Sequence, residues 1–311
     1  MKVKPENRQI NKRYKILLFY KYVSLENTQQ VADWQRGLCT RLKLTGRIII
    51  AKEGINATVE GTRKAVEEYW SQFIADSRFA DTHLKTSFGT GSAFPRLSIK
   101  IRSELVSLKL GDEDFDPNEL TGKRVTPDNL HEWFEKKEDF IIIDMRNDYE
   151  HRIGHFDKSV MPSMKAFREL PHLVNEFENL KNKKVITVCT GGVRCEKASG
   201  YLVKKGFKDI YQLDGGIVSY MEKYPKGYWN GSLYTFDGRV AMDFDNGKHD
   251  IIGRCKHCES PTEMYVDCAD PTCHIHYLSC ESCLKKTDYI PCCSPKCEKV
   301  ILQKKSQLIS S

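Results

Sequence analysis

No run of apolar residues in this 311-residue chain approaches the length needed to span a bilayer, which excludes an apolar membrane helix. Met1-Lys-Val-Lys-Pro-Glu-Asn-Arg8 lacks the apolar core of a secretory leader, so a cytoplasmic location is expected. Internal repeats and low-complexity tracts are missing, which removes solenoid and linker-like architectures. There is no Gly-x-Gly-x-x-Gly dinucleotide fingerprint and no haem-attachment motif. Nor is there a two-His-one-carboxylate arrangement of interpretable spacing, although such triads need not be local in sequence. The common redox cofactors therefore leave no local trace. At 40% hydrophobic and 29% charged residues, the composition is that of an ordinary soluble chain long enough for two or three domains.

Charge is divided along the chain. Residues 1–102 carry 19 Lys/Arg against 9 Asp/Glu, whereas residues 103–150 carry 6 against 14. A basic first domain followed by an acidic stretch is expected, and the basic face suits a polyanion such as nucleic acid. The segments Lys12-Arg13-Tyr-Lys15 and Arg41-Leu-Lys43 are its densest parts, with Lys12, Arg13, Lys15 and Arg41 as candidate RNA contacts. A solvated basic face is the alternative.

Cysteine usage is clustered. Nine of the twelve cysteines lie between Cys255 and Cys297. Cys255-x-x-Cys258 and Cys280-x-x-Cys283 have metal-ligand spacing, and Cys268, Cys273, Cys297 and one of Cys292 or Cys293 would complete a second set. Cys293 is the preferred member of that pair. Two zinc ions on thiolate ligands fit knuckle pairs better than disulfides or a redox cluster, and metal would supply folding energy to a tail too short for a large core. His257, His274 and His276 lie among these cysteines and could replace a thiolate.

Elsewhere, Val185-Ile-Thr-Val-Cys189-Thr-Gly-Gly-Val-Arg194-Cys195 is an apolar strand ending on a cysteine, then a glycine loop, then a helix. Backbone N–H groups turned inward at a helix N-terminus favour a thiolate. Cys189 is the candidate nucleophile, with Thr190, Gly191, Gly192, Val193 and Arg194 as the loop around it. Cys195 could resolve an oxidised Cys189, or simply pack. A buried structural cysteine is the bland alternative for Cys189.

The first domain reads as β-α-β-β-α-β. Strands are expected at Tyr14–Val23, Gly46–Ile50, Asn56–Glu60 and Leu97–Ile101, with helices at Glu26–Leu42 and at Arg63–Ile74 behind a Thr62 cap. That order is ferredoxin-like. Residues 106–124 read as an acidic linker. Residues 125–228 alternate strands with helices, which implies a parallel α/β sheet, and 229–311 form the cysteine-rich region. The expected fold class is thus α+β and α/β multidomain, with domain 1–105 basic and ferredoxin-like.

Three stretches in the second domain together resemble the rhodanese domain: Phe140-Ile-Ile-Ile-Asp144-Met-Arg146 with Glu150 and Gly154-His155, the cysteine loop, and Tyr211-Gln-Leu-Asp-Gly215-Gly216. Related cysteine phosphatases place five residues between cysteine and arginine; here four intervene, which suits a persulfide. Adding Lys52-Glu-Gly-Ile-Asn-Ala-Thr-Val-Glu-Gly61, the basic first domain and the cysteine-rich tail, the whole chain resembles the bacterial tRNA uridine(34) hydroxylases. The resemblance implies tRNA as partner, molecular oxygen as co-substrate, 5-hydroxyuridine at the wobble position as product, and Cys189 as the functional cysteine. Sulfur transfer through a Cys189 persulfide to an RNA or protein acceptor is the alternative activity, and non-enzymatic RNA binding a second. Neither oligomeric state nor any further cofactor follows from the sequence.

Overall fold

A computed structural model describes residues 11–245 and 247–309, with side chains to residue 303; the leader reading at Met1–Arg8 falls outside them. None of the described helices is long and apolar enough to cross a membrane.

The chain begins with β1 (Tyr14–Tyr22), α1 (Thr28–Arg41), β2 (Thr45–Ala51), β3 (Gly54–Thr62), α2 (Arg63–Ile74), β4 (Lys85–Phe88) and β5 (Leu97–Ile101). α1 starts later than its apolar spacing suggests because Asn27 is the cap, accepting from Gln30 N at 2.9 Å. α2 starts behind Thr62, which accepts from Ala65 N. Both helices pack on one sheet face, Leu38 of α1 and Tyr69 and Phe73 of α2 joining the core with Leu17, Phe19, Ile48 and Val59.

The sheet order is β4-β1-β3-β2-β5. This corrects one expectation: the strand that closes the β-α-β-β-α-β pattern is Lys85–Phe88, antiparallel to β1, whereas Leu97–Ile101 is a fifth strand parallel to β2. Lys85-Thr-Ser-Phe is a short, polar edge strand without clear alternation, so its sequence signal is weak. At the β2–β3 turn, Gly54 has φ +139°, and a Cβ there would strike the Lys21 carbonyl oxygen at 2.0 Å. Only glycine fits that turn.

Residues 103–122 hold no strand or α-helix, only a 3-10 turn at Gly111–Glu113, and they are bound down. Leu105 and Leu108 are buried, and Glu104 and Asp114 reach Lys197 in the next unit. That unit comprises β6 (Lys123–Val125), α3 (Pro127–Glu135), β7 (Ile141–Asp144), α4 (Asp148–His151), β8 (Gly154–Phe156), α5 (Leu170–Leu173), β9 (Lys184–Val188), α6 (Val193–Lys204), β10 (Asp209–Leu213) and α7 (Gly216–Lys223). Strands β6-β10-β9-β7 form a parallel sheet, and β6 takes up residues at the linker's end. Side chains alternate into separate cores on its two faces: Ile143 and Val185 join the core that includes Ala198 and Leu202 of α6, Ile142 and Ile186 the one that includes Leu130 of α3 and Ile217 of α7. Burial of both faces explains why these strands read as continuous apolar runs.

The remaining elements are short: β11 (Trp229–Gly231), β12 (Leu233–Tyr234), β13 (Ala241–Met242), β14 (Tyr265–Asp267), β15 (His276–Leu278), α8 (Glu281–Lys286) and α9 (Pro295–Ile309). β11 pairs with β8 and so fastens this region to the parallel-sheet unit.

Candidate active site and cysteine clusters

Cys189 follows β9 directly and is fully buried at the carboxyl end of the sheet, where open α/β folds bind ligands. The loop is seated by the late double glycine. Ile217 N donates to the Cys189 carbonyl at 2.9 Å and Val218 N to the Thr190 carbonyl at 3.0 Å. A Cβ on Gly216 would lie 2.6 Å from both Cys189 O and Gly192 N, so no larger residue fits against the loop. Gly192 (φ +101°) caps α6, which begins at Val193, so Val193 and Arg194, expected in the loop, already belong to the helix. The Gly192 N–H donates to Cys189 Sγ at 3.2 Å.

Burial alone would push the Cys189 thiol up. Opposing it are donation from the Cys195 thiol, the Arg194 charge, and the backbone N–H groups of Cys195 and Gly192, which together bring its pKa down to about 6. The loop therefore favours the thiolate over the thiol. Cys195 moves the other way: burial first, then its bond to the Cys189 thiolate, holds it well above the ordinary thiol range. It is placed as a hydrogen-bond donor to its neighbour.

Arg194 does not aim its fork at the loop centre as a simple anion clamp would. It is bidentate on Glu150, at 2.6 and 2.9 Å, and also reaches Thr190 Oγ1 at 3.3 Å. Glu150 is held by the Asp144–Arg146 pair: Arg146, fully buried, binds Asp144 at 2.6 Å and donates to the carbonyls of Glu150 and Gly154. The charged turn after β7 is thus the foundation of the cysteine loop.

The first domain closes over this loop. Tyr22 Oη donates to the Val193 carbonyl (3.2 Å), Tyr20 Oη to Glu196 (3.0 Å), and Lys85 Nζ to the Gly191 carbonyl (3.1 Å). Between the two units lies a polar cleft of about 620 Å³, bordered by Tyr20, His83, Lys85, Arg124, Glu196 and Gly215. That volume is within the range of small-molecule sites. A tighter apolar cavity on the other side of Lys85 brings Leu18, Thr190 and Phe236 together. Phe236 is 44% exposed and carries the Arg194 guanidinium 5.8 Å from its ring centre. Sequence reasoning missed Tyr20, Lys85, Glu150 and Phe236 as site residues; only Glu150 had a local signal, in the Asp-x-Arg turn.

Residues 14–105 match the UPF0176 acylphosphatase like domain, 126–223 the rhodanese-like domain and 230–298 the rhodanase C-terminal model. A tRNA uridine(34) hydroxylase of Bacillus cytotoxicus is 43% identical over 292 residues, covering 93% of this chain and 89% of that protein. The chain belongs to the tRNA uridine(34) hydroxylase family. The Bacillus licheniformis relative of the same name is also 43% identical, over 92% of this chain and 88% of its own length. Among solved structures, a rhodanese-like domain protein from Staphylococcus aureus is 28% identical, with a TM-score of 0.28, and covers 32% of this chain and 90% of its own.

In this member of the family the tail gathers its cysteines into two groups of four, Cys255, Cys258, Cys280, Cys283 and Cys268, Cys273, Cys293, Cys297. Within each group all sulfurs lie within 4.8 Å of one another, so each could hold a metal ion. Cys258–Cys280, Cys273–Cys293 and Cys293–Cys297 sulfurs are 3.5, 3.4 and 3.6 Å apart. Those separations are near the ~3.8 Å edge of a tetrahedral zinc–thiolate site and far from a disulfide bond of about 2.05 Å. Cys292 stays out of both groups, against the Ile290 carbonyl. The histidines stay out too: His276 pairs with Asp267 at 2.7 Å and His257 packs on Tyr277.

The four candidate RNA contacts do not converge on the loop. Lys12 and Arg13 are exposed at the start of β1, whereas the loop meets Tyr20 and Tyr22 near its other end, some ~23 Å from Arg13 at strand rise. Lys15 and Arg41 are paired with Glu67 and Glu68.

Proposed function

We propose that this protein hydroxylates C5 of the wobble uridine of tRNA, with dioxygen as co-substrate and Cys189 as the reacting thiolate, in the cytoplasm. The observation that carries the chemical part is the seat of Cys189 at the carboxyl end of the sheet, with the Gly192 N–H at the head of α6 donating to its sulfur; the substrate follows from the relatives' shared name. Addition of the thiolate to C6 of the uracil ring makes C5 electron-rich, and C5 takes up oxygen; loss of the C5 proton then breaks the S–C6 bond, expels Cys189 as the thiolate and restores the C5=C6 double bond. One oxygen atom enters the base and the other leaves as water, which consumes two electrons from a reductant. The Gly192 and Cys195 N–H groups and the Cys195 thiol hold the sulfur anion, while Glu150 fixes Arg194 beneath it. The tail's thiolate groups bind zinc as folding elements, with Cys255, Cys258, Cys280 and Cys283 on one ion and Cys268, Cys273, Cys293 and Cys297 on the other.

The rhodanese-like domain match supports a second reading, persulfide sulfur transfer to an RNA or protein acceptor. Chromatographic and mass analysis of tRNA nucleosides from a deletion strain separates the two. Hydroxylation loses an oxygenated wobble uridine; sulfur transfer to RNA loses a sulfur-containing nucleoside; transfer to protein leaves tRNA unchanged.

A further inference from the structure

Lys85 comes from the polar edge strand β4 of the first domain, yet it is 8% exposed. Its side chain crosses the mouth of the Cys189 loop: a Cβ on Gly215 would sit 3.3 Å from Lys85 Cε, and Nζ donates to the Gly191 carbonyl at 3.1 Å. A buried ammonium ordinarily has a carboxylate directly against it. Here burial pulls its pKa down, and the first charge opposing that is Cys189, followed by Asp214 and Glu222, with Arg124 acting the other way. An ammonium has three N–H donors, and Lys85 borders both the large polar cleft and the cavity beside Thr190 and Phe236. The amine therefore stands between the Cys189 loop, whose Gly191 carbonyl it binds, and both of these spaces.

We propose that Lys85 is a catalytic residue supplied by the first domain: its ammonium donates to a carbonyl oxygen of the pyrimidine bound at Cys189 and stabilises the charge that this oxygen gains. In the step concerned, a bond forms between Cys189 sulfur and C6, and the C5=C6 electron pair passes to C5 and the conjugated C4 oxygen. No atom leaves, and the thiolate's charge becomes the enolate's. The inference rests on the reading of Cys189 as the reacting thiolate.

The test is single-turnover hydroxylation of tRNA by full-length wild type, Lys85→Met, Lys85→Arg and Cys189→Ser, with rates referred to folded protein measured by circular dichroism. Lys85→Met should slow turnover roughly 100- to 1,000-fold, the cost of losing one donor to developing charge, with tRNA affinity held within about twofold. Lys85→Arg should recover part of the rate, and the alkaline fall of the wild-type pH profile should vanish in Lys85→Met. Wild-type turnover per folded Lys85→Met molecule, or a loss confined to tRNA affinity, would overturn the assignment while leaving an inactive Cys189→Ser to support the cysteine. Full activity of Cys189→Ser would overturn both.

Discussion

The Glu53 carboxylate lies 2.8 Å from the Lys197 ammonium, joining the β2–β3 turn of the first domain to the opening turns of α6. Lys197 is fully buried and is also met by Asp114 at 3.0 Å and Glu104 at 3.5 Å. The Lys52–Gly61 stretch of the first domain and the helix that follows the cysteine loop are thus in direct contact. That contact fixes the first domain over the cysteine loop, where Tyr20, Tyr22 and Lys85 take their places.

Removing Lys197 leaves three carboxylates facing one another without a cation. Lys197→Met is expected to destabilise the protein by about 3 kcal/mol, the scale for breaking a buried ion pair, while Glu104→Gln, which spares the other two carboxylates, costs about 1 kcal/mol. Chemical denaturation of each variant gives the values; equal, small effects would mean that the cluster does not hold the domains together.

The Cys189 thiolate is expected to titrate near pH 6, seen as the difference in ultraviolet thiolate absorbance between wild type and Cys189→Ser. Its folded-state pKa is below that of a free thiol. The stability it contributes is therefore complete above the free-thiol range and is lost as pH falls through about 6. Cys195→Ala removes the thiol donor but keeps the backbone N–H, so it should raise the midpoint, while Cys195→Ser, which keeps a donor, should leave part of the activity. Equal loss of activity in Cys189→Ser and Cys195→Ser would point to a disulfide cycle instead.

Metal analysis of protein purified without chelator should return close to two zinc equivalents, one for each group of four cysteines. Stripping the metal should unfold the tail, since few apolar side chains accompany Val266, Tyr277 and Leu284 in its core. A value near zero, with all nine tail thiols titratable in folded protein, would refute a structural metal.

Binding to tRNA should weaken with salt, and neutralising Lys12, Arg13, Lys15 and Arg41 should flatten the slope by about 0.7 to 0.9 for each phosphate left without its cation. Lys15 and Arg41 already face Glu67 and Glu68, so most of the change should come from Lys12 and Arg13. Unchanged slope and affinity would move the RNA site to another face, the cysteine-rich tail first.

What the sequence revealed and what it hid follow from the range of the interactions. α2 was legible to the residue because Thr62 caps it and its apolar positions repeat locally, and the tail's cysteine pairs carry their ligand spacing within a few residues. β4 was hidden because a four-residue polar edge strand has no periodicity to display. The start of α6 was hidden because a glycine cap offers no side-chain signal. Lys85 on Gly191, Tyr20 on Glu196 and Glu53 on Lys197 were illegible for a different reason: each joins residues far apart in the chain, and only the packed domains bring them together.

Hydroxylation through Cys189 is tested most directly by turnover of unmodified tRNA under heavy-isotope dioxygen, followed by mass analysis of the wobble nucleoside. The isotope is needed because adding oxygen and exchanging oxygen for sulfur change the mass by nearly the same amount. Wild type should place one labelled oxygen on the uracil ring and Cys189→Ser none. A labelled product from Cys189→Ser, or an unlabelled sulfur-containing product from wild type, would contradict it.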